Sequence, residues 1–219
     1  MRPSPRFALA LLLSLPALFV RAAPERWTAD IEAFVKADAS QPPPRNGVVF
    51  IGSSSIRRWT TLAQDFPGMP VINRGFGGSE LADSVFFADR IVIPYQPRVV
   101  VVYAGENDLW ANKSPGTVFA DYQAFCTRVH AALPETRIIF IAVKPSPSRA
   151  RVRDQVVRTN TLIAAAAAKD KRLGYVDVYT PMLDAQGQPR PELYVEDMLH
   201  MKPAGYAIWT PLVAKALKP

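Results

Sequence analysis

The sequence predicts an α/β protein: a three-layer sandwich with helices on both faces of a parallel sheet. Three observations carry that prediction. Five short runs of apolar, largely β-branched residues recur along the chain, each the length of a buried strand. Stretches of helical spacing or high helix propensity fall between them, and alternation of strand with helix builds parallel sheets. The run Arg98–Gly105 (RVVVVYAG) is apolar along almost all its length, which places it mid-sheet with both faces covered.

The elements follow in order. A helix over roughly Thr28 to Lys36 precedes a stiff connector, QPPPRN (41–46), which enters the first strand, GVVFIG (47–52). MPVIN (69–73) is the second strand, followed by the turn RGFGG. SELADSVFFADRIVIPY (79–95) has helical spacing, with Leu81, Val85, Phe86 and Ala88 to Ile91 as its apolar side and Ser79 as its N-cap. After the third strand, SPGTVFADYQAFCTRVHAAL (114–133) is a helix with Pro115 in its first turn. TRIIFIAV (136–143) is the fourth strand and KPSPSRA a loop. A long helix (152–171) contains a run of alanines, the best helix formers. LGYVDVY (173–179) is the fifth strand, and 202–217 is a closing helix that Pro211 is expected to bend or break.

A chain of 219 residues with 49% hydrophobic and 21% charged residues suits one ordinary globular domain. The first 22 residues read separately. Arg2 and Arg6 precede an uncharged apolar run, Phe7–Val20, and small residues follow at Ala22 and Ala23. This is the pattern of a secretory signal peptide cleaved after Ala22, and it predicts a secreted or periplasmic protein with residues 23–219 as the mature domain. The run is short for a bilayer span, and no later segment is long and apolar enough for one. The net charge of +7 falls to +4 without Arg2, Arg6 and Arg21, as 23 basic residues then face 19 acidic ones. No basic run is interleaved with aromatics, so nucleic acid is not an expected partner. Cys126 is the sole cysteine and sits in a helical stretch, which predicts a buried, inert thiol.

In a doubly wound sheet, ligands bind off the carboxyl ends of the strands. Gly52–Ser55, Gly75–Ser79, Gly105–Asp108 and Lys144–Arg149 should therefore converge on one edge. A serine needs a base to become a nucleophile and a third group to orient that base. His130 lies in the helix with Cys126 and reads as a surface or packing residue. His200 follows Asp197 by three residues, a spacing that lets the carboxylate reach the imidazole on a helical turn. Asn107 (in AGEND) and Gly78 (in NRGFGG) are candidate donors to an oxyanion. Glu106 and Asp108 straddle Asn107, and Asp108 is expected to brace the loop. Lys144 and Arg149 are candidates to meet an anionic substrate group. Arg57, Arg58 and Arg74 lie near the same edge, with solvated surface as their default.

Four separated blocks together resemble the SGNH hydrolases, also called GDSL-type esterases and lipases. FIGSSSI (50–56) resembles the first block, NRGFGG the second, Gly105-Glu106-Asn107-Asp108 the third and Asp197–His200 the last. The resemblance spans about Val48 to Gly205. It implies a flavodoxin-like five-stranded parallel sheet, with Ser54 as nucleophile, His200 as base and Asp197 as its orienting acid. It also implies an oxyanion hole of the Ser54 N–H, Gly78 and Asn107. Ser53 stands where the family usually has Asp, a variant in which Trp59 follows. No G-x-S-x-G elbow, dinucleotide fingerprint or Walker A is present, and one cysteine with two distant histidines predicts no zinc site. The expected activity is hydrolysis of short-acyl esters of small molecules or carbohydrates, with no cofactor and no metal. A carbohydrate O-acyltransferase, or a lysophospholipase or thioesterase, would use the same site; a non-catalytic binding domain that kept the fold is the third reading.

Overall fold

A computed structural model describes residues 24–218. The expected signal peptide, Met1–Ala22, lies outside the described residues. After a 3-10 turn at Pro24–Trp27 come α1 (Thr28–Ser40), β1 (Val48–Gly52), α2 (Ser54–Arg57) and α3 (Leu62–Asp65). Next are β2 (Val71–Gly75), α4 (Leu81–Ile91), β3 (Val99–Tyr103), α5 (Glu106–Trp110) and α6 (Pro115–Ala132). The chain closes with β4 (Arg137–Ile141), α7 (Arg153–Ala167), β5 (Leu173–Val176) and α8 (Pro203–Ala216). No described helix is long and apolar enough to cross a membrane.

The five strands form one parallel sheet in the order β2-β1-β3-β4-β5. This is the three-layer α/β/α architecture expected from the sequence. Side chains alternate across a strand, so each strand feeds two cores. Val49, Ile51, Val100, Val102, Ile138 and Phe140 pack on the side of α1, α4, α6 and α7. Val48, Phe50, Val101, Tyr103, Ile139 and Ile141 pack against Trp59, Tyr206 and Trp209 on the α8 side. The chain leaves β1 in one direction towards β2 and returns on its other side through β3. That reversal opens a crevice at the carboxyl ends of β1 and β3, where such sheets take ligands.

Several expectations are corrected. Ser79 is not the cap of α4: Glu80 is, with Asp83 returning the bond in a capping box. The apolar side of that helix runs through Leu81, Ser84, Phe87, Ala88 and Ile91, while Phe86 is 53% exposed. Steps of three from Leu81 reach Ser84 and Phe87, and a step of four from Ser84 reaches Ala88, so Phe86 lies off the stripe. The helix stops at Ile91, and a 3-10 turn occupies 93–95. Strand five ends at Val176, three residues early. Pro211 does not break α8, which runs through it to Ala216. Pro211 and Ala207, the residue whose carbonyl loses its partner, are both exposed, so water can serve that carbonyl. Arg74 is not solvated: it is buried against the Tyr95 hydroxyl at 2.8 Å and pairs with Asp38.

Candidate active site

Ser54 opens α2 directly after β1. The turn depends on Gly52, whose φ is +136° and where a Cβ would lie 1.9 Å from the Tyr103 carbonyl oxygen. Only glycine lets the ends of β1 and β3 approach this closely. The Ser53 N–H then donates to the same carbonyl at 2.9 Å. Below the turn, Tyr206 of α8 donates to the Ser55 carbonyl at 2.9 Å and the Asn73 amide to the Ile56 carbonyl at 2.7 Å. As first residue of its helix, Ser54 has an N–H with no partner inside that helix.

Asp197 and His200 come from the segment before α8. They lie in a turn rather than on the helical turn expected, with Met198 at a φ of +54°. Asp197 Oδ1 accepts from the N–H groups of Leu199 at 2.9 Å and His200 at 2.8 Å, and Oδ2 meets His200 Nδ1 at 2.6 Å. His200 Nε2 stands 3.0 Å from Ser54 Oγ, a contact spanning 146 positions of sequence. Burial works to raise the Asp197 pKa, but the hydrogen bonds from the His200 ring and from the two N–H groups outweigh it and hold it at about 2. Ser148, in the loop after β4, steadies the turn from outside: its N–H and hydroxyl donate to the Met198 carbonyl at 3.1 and 3.0 Å.

Gly78 and Asn107 line the same cavity as Ser54 and His200, about 730 Å3 in volume. Gly78 has a φ of +79°. One Asn107 amide hydrogen is given to the Ser79 carbonyl at 3.0 Å; an amide carries two, so the other stays free while the first fixes its plane. Four of the five residues named from the sequence thus line one opening, and the fifth, Asp197, contacts His200 from outside that lining. Lys144 is not available to a substrate: it is buried and donates to Glu106 Oε2 at 2.5 Å and to Ser146 Oγ at 2.7 Å. Glu106 and Asp108 both lie on α5. The helix α5 sends them to different partners, and Asp108 accepts from the Leu81 N–H at 3.2 Å and from Lys113 at 3.3 Å, which is the loop-bracing role expected of it. Cys126 is buried as expected, and burial pushes its thiol up to about 12. Sequence reading missed Ser148, the lysine partners of Glu106 and Asp108, and Arg26, which lines the cavity; none of them has a spacing signal.

A serine, an imidazole and a carboxylate thus stand in hydrogen-bond contact at the carboxyl edge of a parallel α/β sheet, where such folds place their ligands. Residues 46–208 match the model of the GDSL-like lipase/acylhydrolase family. The chain belongs to that family and is a hydrolase acting on ester bonds. No match was found among the curated proteins. Among solved structures it is similar to a GDSL-like lipase from Bacteroides thetaiotaomicron, at 24% identity and TM-score 0.71, covering 86% of this chain and 97% of that one. A Streptococcus pneumoniae protein, provisionally described as a platelet activating factor, aligns at 18% identity and TM-score 0.77 over 89% and 94%. A variant of an acetyl-xylooligosaccharide esterase from Geobacillus stearothermophilus aligns at 15% identity and TM-score 0.62 over 79% and 94%. At these identities the structures share the fold.

Proposed function

We propose that the protein is a serine esterase that cleaves short-acyl esters of small molecules or carbohydrates through an acyl-enzyme on Ser54. The observation that carries this reading is the unbroken chain of contacts from Asp197 through His200 to Ser54, at 2.6 and 3.0 Å. Asp197, held ionised, keeps the proton of His200 on Nδ1, so Nε2 faces Ser54 as a base. As Ser54 Oγ adds to the ester carbonyl carbon, its proton passes to Nε2. The tetrahedral oxyanion is received by the Ser54 N–H, the Gly78 N–H and the free hydrogen of Asn107. His200 returns the proton to the leaving alcohol as the C–O bond breaks. A water deprotonated by the same Nε2 then cleaves the acyl-enzyme and releases the acid.

One structural relative is an acetyl-xylooligosaccharide esterase, which agrees with a preference for short acyl groups. The apolar run at Phe7–Val20 supports an exported enzyme. Hydrolysis of an aryl acetate by the mature domain tests the reading. Ser54→Ala is expected to lower kcat by about 10⁶-fold without shifting the unfolding temperature. Equal rates for the two proteins would sink the proposal.

A further inference from the structure

We infer that the cavity around Ser54 selects esters bearing an anionic group, a carboxylate or a phosphate, held by the guanidinium groups of Arg57 and Arg149. The inference rests on the esterase reading of this site and names its substrate class.

Arg26, Arg57, Arg58 and Arg149 all line the cavity that holds Ser54 and His200. They come from three places in the chain: the turn before α1, the helix α2 and the loop after β4. Glu80 is the one acid in that lining, and it is committed to Lys113 at 3.0 Å. The positive charge of the wall is therefore not balanced within it.

Surface arginines are ordinarily solvated, and Arg57 is one, its side chain 57% exposed; Arg149 is built in. The Arg149 guanidinium lies 4.2 Å from the Trp110 ring centre. Arg151 also stacks on that ring, at 4.4 Å, and anchors itself on the Trp110 carbonyl and the Asn112 side chain. Arg149 makes no ion pair among the described residues, and its buried Nε has no hydrogen-bond partner. Stacking fixes a guanidinium in place while leaving its edge of N–H donors unspent, and that edge matches a carboxylate or phosphate. Arg57 lies beside the glycine next to Ser54. A methyl group on Gly77 would lie 3.1 Å from Arg57 Nη1 and 3.9 Å from Ser54 Cβ, so one small residue separates the guanidinium from the serine. The contact of Arg57 with Asp30, at 3.8 Å, is too long for a hydrogen bond. A neutral ester leaves Arg57 to water and its long ion pair with Asp30, and leaves the donor edge of Arg149 unspent. An anionic one exchanges that water for charge-assisted bonds, which contribute on the order of tenfold or more in affinity.

The test compares kcat/KM for two matched pairs: 4-acetoxybenzoate against its methyl ester, and acetylglycerol phosphate against acetylglycerol. Each rate is corrected for the ester's own alkaline hydrolysis, and the two pairs separate carboxylate from phosphate. At low ionic strength at least one charged ester is expected to lead its neutral partner by about tenfold or more, chiefly through KM. The lead should shrink in ~0.5 M salt, where charges are screened within a few ångströms, a readout that needs no variant. In the double variant Arg57→Gln, Arg149→Gln the ratio should fall towards one. A ratio of one in the unsubstituted protein, or a lead that survives both salt and the double substitution, overturns the inference while Ser54-dependent hydrolysis of the neutral esters leaves the esterase reading standing. Failure of all four esters to react in a Ser54-dependent way overturns both.

Discussion

Asn107 sits between two buried lysine–carboxylate clamps built on opposite terms. On one side Glu106 meets Lys144 one to one, at 2.5 Å, with the lysine side chain 1% and the carboxylate 5% exposed. On the other side Lys113 faces three acids, Glu80 at 3.0 Å, Asp108 at 3.3 Å and Asp121 at 3.0 Å. The two lysines are pushed in opposite directions. Burial lowers the pKa of Lys144 despite the pull of Glu106. Burial also works against the charge of Lys113, but the acids around it, Asp108 first, outweigh burial and raise its pKa. The first clamp gives its lysine a single acid, with hydroxyls of Ser146 and Tyr103 beside it; the second gives its lysine three. Both end on α5, the helix that carries Asn107, so the candidate oxyanion donor is fixed from two sides by charge as well as by its bond to Ser79.

The difference is sharpest when one carboxylate is removed. Glu106→Ala leaves the Lys144 ammonium buried without its acid, and loss of one partner of such a pair costs about 3–5 kcal/mol. Urea unfolding should show that loss, and Glu106→Leu combined with Lys144→Met should recover most of it, because a packed apolar pair needs no compensation. Recovery tells a charge left stranded from a cavity left empty. If the single variant unfolds at the same urea concentration as the parent, the two clamps do not differ as described.

What the clamps position is tested next. Asn107→Ala should reduce kcat by about 10²–10³-fold, about 3–4 kcal/mol of transition-state stabilisation, with KM for the ester and the unfolding midpoint little moved. A loss confined to KM would mean that Asn107 holds ground-state substrate instead. This effect is expected to be smaller than that of Glu106→Ala on stability, and of another kind: one breaks the brace, the other removes what is braced.

The legible parts of this molecule were those written in local pattern. Strands one, three and four are apolar on both faces and reveal themselves by run length alone; strand five, half-buried at the sheet edge, was overrun by three residues. The three residues Ser54, Asp197 and His200 were legible because they sit in short blocks of fixed order, and the fold brings them into contact. The clamps were not. Glu106 and Lys144 are 38 positions apart and Arg74 and Asp38 are 36 apart, and nothing local marks either as one half of a pair. Lys144 in KPSPSR reads as a polar residue in a proline turn, and Arg74 in NRGFGG as a charge on a glycine loop. Burial of both is decided by neighbours that only the sheet order supplies. The same holds for Pro211, whose effect depends on whether its freed carbonyl faces water.

The smallest effect isolates the Lys113 clamp by pH. Burial, opposed by Lys113, raises the Asp108 carboxyl from 3.8 to about 6. A carboxyl raised in the folded state favours folding while it is protonated, so its contribution is complete below about pH 3.8 and is lost as pH rises through 6. The unfolded chain gains more from ionisation over that window. Asp108→Asn keeps the size and an acceptor for the Leu81 N–H but cannot ionise. The stability of the variant relative to the parent should therefore climb between pH 4 and 6 and level off above, by no more than about 3 kcal/mol. Carboxyls remote from Lys113 titrate alike in the two proteins, and the difference removes them; Glu80 and Asp121, which share that lysine, are the ones it keeps. A flat difference across that range would show Asp108 ionised throughout and held so by Lys113. The two sides of Asn107 would then be clamps of one kind.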